Sequence, residues 1–513
     1  MSTLAIDSRL KLQLFLWYAV IALALLILGV FLVTNQFFTA FLVAGLLALV
    51  TLPYHAKLAS RIAVATFGSA ISAPFVPGYP TLWMLAAVLG WSGVAVTTML
   101  RRQSPSYVET VRRNKWIFIG GACFCVVLVI LMKYQGVGFS RLMGASKSGA
   151  RQYVENIICF IFPVLFAMID MEEKALFRLI VLHYVLSFTY VISDLAVSTG
   201  KFQWVLYVFR PPVDAYNFSE HALAFGVQRF QSFKDLGMGI VILLLLYFPM
   251  RKFLSWRAVW LVPVLLFSLV IGAFSGHRTF YIGLGLNVFF LALAQGFFTL
   301  RNRLIALSGL TLLLVFIYVF AGSLPPSAQR AVSFLPGIKV GRVAGMDANA
   351  TALVRKQLFF IGLRMIPDHL WIGRGFPRWE NTLTAAEIPD LATINLLVEE
   401  GAFASGPVGL LVDTGLPGCL SMMVLLWGGS VAAWRIIRML RRHGYEDRFA
   451  LACGVVAANW FAFLPGFFFI QGNANMALIV TGLPCGMSIL CERMLRQRDL
   501  RPAQEELTAG AGA

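Results

Sequence analysis

The sequence predicts an all-α, polytopic membrane protein: a bundle of about 14 transmembrane helices with one large external loop that carries an interfacial helix. Of its 513 residues, 59% are hydrophobic and 13% are charged, whereas a soluble domain has about 25% charged residues. Apolar stretches of roughly 20 residues recur along the chain, the length needed to cross a hydrocarbon core about 30 Å thick. Backbone polar groups inside lipid must be satisfied within the chain, which predicts helices.

The orientation follows from the connections between these stretches. Lys and Arg collect in one set of short connections, such as 101–115 and 435–448, whereas the turns at 34–36, 77–80 and 471–475 contain none. Cationic loops stay in the cytoplasm, so we expect both termini there. The formal charge of +18 is explained by these loops, and we predict no nucleic-acid partner.

The expected spans divide the chain into four parts. Residues 1–322 form a transmembrane bundle of about 11 helices, 323–406 a large periplasmic loop, 407–490 three C-terminal transmembrane helices, and 491–513 a cytoplasmic tail. Segment 352–367 is helical in pattern but too polar to span, so we expect it at the membrane interface. The spans are 14–33, 37–54, 62–76, 81–100, 116–134, 156–170, 177–195, 236–250, 258–275, 279–300, 304–322, 407–430, 449–470 and 476–490.

No pattern in the sequence indicates a metal or a cofactor. The seven cysteines lie in or beside apolar segments, which predicts no disulfide bonds. Walker, Rossmann, HExxH and DxD motifs are absent. We therefore predict no bound metal and no cofactor.

Arg278 is the most informative cation on the expected outer side. It lies in a turn, Ser275–Thr279, between two apolar helices. An ionisable side chain at mid-bilayer costs about 2.5–3.5 kcal/mol on insertion scales, and less near the surface. Either the side chain extends to the interface, or its planar guanidinium binds a phosphate or diphosphate.

Four segments resemble, in order, the O-antigen ligase and O-antigen polymerase superfamily of bacterial membrane proteins. Gln228–Phe233 (QRFQSF) resembles the external arginine motif, and Phe274–Thr279 (FSGHRT) resembles the Ser-Gly-x-Arg turn. Leu363–Phe376 resembles the interfacial helix and the Pro-Leu-x-Gly-x-Gly element that follows it. Leu410–Gly418 (LLVDTGLPG) resembles the Glu-Thr-Gly helix start.

The resemblance implies a metal-independent glycosyltransferase of cell-surface polysaccharide biosynthesis in the bacterial inner membrane. Such a protein transfers or polymerises a glycan from an undecaprenyl-diphosphate carrier at the periplasmic face, and its partners are membrane lipid and a glycan or lipid acceptor. Carried over by position, Arg229 and Arg278 are the diphosphate candidates, and Arg364 and Arg374 are further candidates.

The sequence departs from the family where a catalytic base is expected. The family commonly has His-Asn nine and eight residues before the acidic residue of Glu-Thr-Gly, and here those positions are Ala404 and Ser405. Asp413 and His277 remain as the catalytic candidates. Two alternatives stay open: a flippase or transporter of a lipid-linked oligosaccharide, and a non-catalytic subunit of polysaccharide assembly.

Overall fold

The fold is described from a computed structural model. It describes residues 57–74, 80–100, 105–135, 150–211, 229–253, 255, 258–376, 394, 397–398, 401–444, 446–469 and 473–510. These residues are almost entirely helical, and among them the only strand-like pairing is two isolated bridges, Ile71 with Phe209 and Ser72 with Thr81. The all-α prediction is confirmed for this part of the chain. The predicted spans 14–33 and 37–54 lie outside it.

The helices follow a segment at 57–67 that is also helical. They are α1 (Leu82–Leu100), α2 (Pro105–Arg113), α3 (Lys115–Tyr134), α4 (Ala150–Met168), α5 (Glu173–Ser187), α6 (Thr189–Thr199), α7 (Gln231–Tyr247), α8 (Leu261–Phe274), α9 (Arg278–Ala294), α10 (Leu300–Phe320), α11 (Pro326–Val332), α12 (Arg342–His369), α13 (Gly406–His443), α14 (Arg448–Phe469) and α15 (Ala477–Gly510).

Six helical stretches in the described residues are long and apolar enough to cross a membrane. They are Lys115–Tyr134, Glu173–Thr199, Leu300–Ser323, Gly406–His443, Arg448–Phe469 and Ala474–Asp499. Four shorter apolar helices accompany them: Leu82–Val94, Gln152–Met168, Leu261–Phe274 and Arg278–Ala294. Only 6% of the apolar window of Leu300–Ser323 is buried within the protein, as expected for a helix that faces lipid.

The expected span at 62–76 is wrong at residues 68–74, which are not helical, and its last two residues lie outside the described part of the chain. The helix ends at Phe67, where the hydroxyl of Ser69 donates to the Thr66 carbonyl. Side-chain hydroxyls that bind nearby carbonyls compete with helical hydrogen bonds. Beyond the end, the backbone pairs with a distant segment, because Ser72 N donates to Val208 O at 2.9 Å.

The centre of the bundle is a close contact between α3 and α13. A Cβ atom added to Gly120 of α3 would lie 2.7 Å from the Ser421 carbonyl oxygen of α13, so the two backbones touch. Small residues that allow such close approach are typical of helix pairs in membranes. Around this pair, α15 packs on α4, and α14 packs on α9 and α13.

A buried carboxylate ties the expected cytoplasmic ends of these helices together. Glu492 of α15, whose side chain is 2% exposed, pairs with Arg113 at the end of α2 and with Arg435 of α13. The next residue, Arg493, donates to the carbonyls of Ala167 and Ile169 at the end of α4. These bonds satisfy carbonyls that a helix C-terminus leaves without intrahelical partners.

Helix α13 is broken at Gly415, two residues after Asp413. Gly415 has φ 68° and ψ −177°, a conformation that strongly favours glycine. The first segment, from Gly406 to Thr414, runs alongside the C-terminal half of α12, where Gly362 lies against Val408 and Phe403.

We predict that Gly120→Ala will destabilise the protein by about 1–3 kcal/mol, because the added methyl group must separate two touching helices. Gly285→Ala is the matched control, since it lies in the apolar helix α9 with nothing within 4 Å of an added Cβ. Thermal unfolding in lipid nanodiscs measures both. Equal stabilities for the two variants would contradict the α3–α13 contact.

Candidate functional site

Two sequence-predicted arginines, Arg229 and Arg278, lie in one cluster at the end of the apolar helices α8 and α9. Arg278 is the first residue of α9, and Arg229 precedes α7. Arg330 on α11 pairs with Asp347 of α12, as Arg229 does, and Arg355 on α12 completes the group because its charge acts on Arg330. We call these four arginines with Asp347 the arginine cluster.

Asp347 joins three separate segments of the chain. Its Oδ2 atom accepts from Nη2 of Arg229 and lies 2.7 Å from Nε of Arg330. The side chains of all three residues are buried, with 8% or less exposed. Removing one partner from a buried ion pair typically costs about 3–5 kcal/mol, so these contacts fix α11 and α12 against the segment before α7.

Arg330 also fixes the turn that precedes Arg278. Its Nη1 donates to the Gly276 carbonyl, and its Nη2 donates to the Thr351 hydroxyl at 3.0 Å. Burial and the charge of Arg229 lower the pKa of Arg330 to about 10, and the charges of Arg278 and Arg355 act in the same direction. Among the described residues, the charges that act on the Arg330 guanidinium are those of three other arginines and one carboxylate, Asp347.

A second carboxylate, that of Asp194, holds the segment that follows Arg229. Asp194 of α6 accepts from the backbone N and the hydroxyl of Ser232, at 2.9 and 2.7 Å. Ser232 is the second residue of α7, and a carboxylate is stabilised at a helix N-terminus by the unpaired N–H groups there. Asp194 thereby holds the start of α7, and Arg229 with it.

Arg278 and Arg355 are the accessible members of the cluster. Arg278 is half-buried and donates to the Ser333 hydroxyl at 3.1 Å, and Arg355 is exposed. Arg355 is exposed as a residue, but the protein packed around its guanidinium and, second, the charge of Arg278 lower its pKa. The two guanidiniums therefore interact electrostatically, and guanidiniums are well suited to pairing with carboxylate or phosphate oxygens.

His277 lies beside the cluster in a state that opposes its expected role as a base. Its Nδ1 is 2.8 Å from the Ser275 carbonyl oxygen, which can only accept, so Nδ1 carries the proton. Burial, Lys234 and Arg330 lower the pKa of His277 to about 3. An imidazole with so low a pKa accepts a proton poorly at neutral pH.

Arg374 and Asp413 form a second site. Arg374 Nε donates to Asp413 Oδ1 at 2.7 Å, and its Nη2 donates to the Val398 carbonyl at 2.7 Å. The guanidinium also lies over the ring of Phe403, 5.1 Å from the centroid. Asp413 is fully buried, and its Oδ2 has no hydrogen-bond partner among the described residues.

The turn that contains Arg374 supplies hydrogen-bond partners at the break in α13. Arg374 N and Gly375 N donate to the carbonyls of Val412 and Asp413, both at 2.9 Å, and Leu416 N donates to the Leu370 carbonyl. These bonds provide partners for backbone groups that have no intrahelical partner at the break. A membrane interior requires such partners, because lipid offers none. A Cβ on Gly373 would overlap the Asp413 carbonyl, so this approach requires glycine.

Two polar side chains hold the same turn from its other side. Gln135 donates to the Arg374 carbonyl, and Phe376 N donates to the Tyr153 hydroxyl at 2.7 Å. The Tyr153 hydroxyl in turn donates to Gln135. The turn is therefore fixed between α13 and the residues that flank the 136–149 connection.

The two sites are separate. Asp347 and Gly362 are fifteen residues apart on α12, which is roughly 22 Å of helix. At Gly362, α12 contacts the first segment of α13, and Asp413 lies in that segment. Arg374 and Asp413 thus do not join the arginine cluster, and Arg364 is exposed on α12 just beyond Gly362.

Sequence reasoning missed Arg330, Asp347 and Arg355. A signal for two of them existed, because Asp347, Thr351 and Arg355 are spaced four residues apart and such residues share one face of a helix. In the described part of the chain, no three His, Cys, Asp or Glu residues are grouped as a metal site would require.

We predict strong coupling between Arg374 and Asp413. Arg374→Gln and Asp413→Asn should each destabilise the protein by about 3–5 kcal/mol, because each leaves a buried group without its charged partner. The double variant should cost less than the sum of the two. The exposed pair Arg251–Glu446, 3.2 Å apart, is the control and should show a coupling of about 0–1 kcal/mol. Additive losses at Arg374 and Asp413 in thermal unfolding would contradict a buried ion pair.

No family model matches the chain. No curated protein matches it significantly.

Proposed function

We propose that this protein binds the diphosphate of an undecaprenyl-linked glycan through Arg278 and Arg355, and that it transfers or polymerises the glycan in cell-surface polysaccharide biosynthesis. The observation that carries the proposal is the arginine cluster. Arg229 and Arg330 pair with one buried carboxylate, Asp347, and the charges of Arg278 and Arg355 act on Arg330 beside them, at the end of two apolar helices. A lipid-linked diphosphate supplies the missing negative charge.

The place of the cluster suits a lipid-linked ligand. Arg278 begins α9 directly after the turn that ends α8, and both helices are apolar. A polyprenyl chain beside such helices stays in the hydrocarbon region, and its diphosphate lies at the headgroup level. In this proposal the chain has about 14 spans, both termini are cytoplasmic, and the cluster faces the periplasm of a bacterial inner membrane.

The reaction needs stabilisation of the leaving group. The acceptor hydroxyl oxygen forms a bond to the anomeric carbon of the glycan, and the bond from that carbon to the diphosphate breaks. The diphosphate leaves with the electron pair, and guanidiniums aimed at that charge favour the step. The hydroxyl proton passes to a base or to water, and the low pKa of His277 disfavours that residue as the base.

A transporter of a lipid-linked oligosaccharide is the second candidate. It is favoured by the broken helix α13, with the buried pair Arg374–Asp413 beside the break. Discontinuous helices and buried ionisable residues line substrate or ion pathways in many transporters. A non-catalytic assembly subunit would bind the same diphosphate and neither move nor transfer it.

We predict that Arg278→Ala and Arg355→Ala will each lower glycan transfer by at least about 100-fold, the typical effect of removing a group that stabilises developing negative charge. Lysine should restore little, because it lacks the bidentate fork. Lys356→Ala is the matched control, an exposed cation next to Arg355, and should keep full activity.

The assay uses purified protein in lipid bilayers with a carrier-linked glycan and candidate acceptors. Full activity in both arginine variants would remove diphosphate binding from the proposal. Movement of the carrier across the bilayer without glycan transfer would favour the transporter instead.

The expected orientation predicts the outcome of reporter fusions. A reporter that is active only in the periplasm should work when it is fused near residue 345, beside Asp347, and should fail near residues 107 and 443. The physical reason is the cluster of Lys and Arg in the connections around the latter two positions. The reverse pattern in whole cells would place the arginine cluster in the cytoplasm.

A further inference from the structure

A cavity lies at the expected cytoplasmic end of the bundle, between α2 and α15. Its volume is about 160 Å³, whereas one water needs only about 10–15 Å³ by the same measure, so the cavity can hold a larger group. Three arginines line it: Arg113 of α2, and Arg493 and Arg496 of α15. Guanidiniums pair with carboxylate and phosphate oxygens, so this lining suits an anion.

The two carboxylates that line the same cavity, Glu109 and Glu492, are already engaged. Glu492 is buried and pairs with Nε of Arg113 and Nη1 of Arg435, and Glu109 pairs with Nη1 of Arg496. Among the described residues, the other N–H groups of Arg113 and Arg496 donate to no protein atom. These two side chains are 37% and 38% exposed, so their remaining donors can reach a ligand.

Arg493 adds a positive charge that backbone groups hold in place. Its Nη1 and Nη2 donate to the carbonyls of Ala167 and Ile169, which orient the guanidinium but do not neutralise it. The carboxylate of Asp170 is 3.6 Å from Nη2, and its side chain is 85% exposed. Water and salt screen so exposed a carboxylate. One wall of the cavity therefore carries a fixed positive charge.

The cavity lies at the level where lipid headgroups are expected. Its lining residue Asn114 directly precedes α3, which is long and apolar enough to span, and Trp116 in the first turn of α3 is 44% exposed. Exposed tryptophan at the end of a span is typical of the membrane–water interface. Helix α2 has an exposed Val108 and ends in Arg112 and Arg113. A helix with apolar and basic side chains of this kind lies along the interface.

We propose that this cavity binds the phosphate group of an anionic phospholipid from the adjoining leaflet. The unesterified oxygens of a phosphodiester match guanidinium donors, and the acyl chains can remain in the bilayer beside α2 and α3. Basic pockets between transmembrane helices bind such headgroups in other membrane proteins. The bound lipid connects α2 to α15 through Arg113 and Arg496. This site is separate from the arginine cluster and does not depend on the proposed function.

We predict that Arg496→Gln will weaken the binding of phosphatidylglycerol about fivefold, which corresponds to about 1 kcal/mol for one basic residue at a membrane surface. The partner of Arg496, Glu109, is 58% exposed, so the variant should fold. Arg498→Gln is the matched control, because Arg498 lies on the same helix, pairs with the exposed Asp447 at 2.9 Å and is not a lining residue. Its change should be less than about twofold, since salt screens a charge outside the cavity.

The two variants lose the same charge, so a difference between them cannot come from the overall charge of the protein. Native mass spectrometry of the full chain measures the lipid retained from neutral detergent with added phosphatidylglycerol or phosphatidylcholine. We expect preferential retention of phosphatidylglycerol, which Arg496→Gln weakens and Arg498→Gln leaves unchanged. Equal affinities of the two variants overturn the proposal, and so does equal retention of the two lipids.

A second substitution tests the cavity without removing a described contact. Gln497 is exposed and lines the cavity, so the carboxylate of Gln497→Glu should repel the headgroup and also weaken binding about fivefold. Unchanged binding by this variant overturns the proposal even if Arg496→Gln does not fold.

Inorganic phosphate is the last arm of the experiment and distinguishes a lipid from a soluble anion. We expect it to compete weakly with phosphatidylglycerol, because it has no acyl chains to hold it at the bilayer. Phosphate binding that depends on Arg496, with no preference for phosphatidylglycerol over phosphatidylcholine, identifies a soluble ligand and overturns the lipid assignment.

Discussion

Every polar group that this chain carries into its apolar bundle must find a partner inside the protein, because lipid offers none. The broken helix α13 shows the constraint most clearly. Gly415 interrupts the helical ladder, and the carbonyls of Val412 and Asp413 are met by N–H groups of a turn that follows α12. The same turn brings Arg374 to Asp413. The break, the turn and the ion pair therefore form one structural unit, and a change in any of them exposes polar groups of the others.

The arginine cluster differs from this unit in its balance of charge. Asp347 balances one charge, while Arg229, Arg330, Arg278 and Arg355 carry four. In the described residues the excess is positive and lies at the end of the two apolar helices α8 and α9. At the opposite end of the bundle, by contrast, Glu492 is paired with Arg113 and Arg435, and Arg493 with two helix-terminal carbonyls. These contacts join helix ends, whereas the described residues of the arginine cluster include more arginines than carboxylates.

The sequence predicted the helical class and most helix positions well, because long apolar runs depend on composition alone. It failed at 68–74, where Ser69 and Ser72 form local and long-range hydrogen bonds that hydropathy does not register. It placed Arg229 and Arg278 among the same candidates, and the structure puts both in the cluster. It also grouped Arg374 with them, although Arg374 pairs with Asp413 at a separate site. Arg330 was missed because its importance comes from Asp347, a contact between two helices that no local pattern predicts.

The central claim is that Arg278 and Arg355 bind the diphosphate of a lipid carrier. The most direct test is a structure of the protein in lipid nanodiscs with an added polyprenyl diphosphate, at a resolution that locates both phosphorus atoms. We expect the diphosphate to lie against the guanidiniums of Arg278 and Arg355 and the hydrocarbon chain to lie along α8 or α9. A diphosphate bound beside Arg374 and Asp413, or at the end of the bundle near Arg113 and Arg435, would contradict the claim.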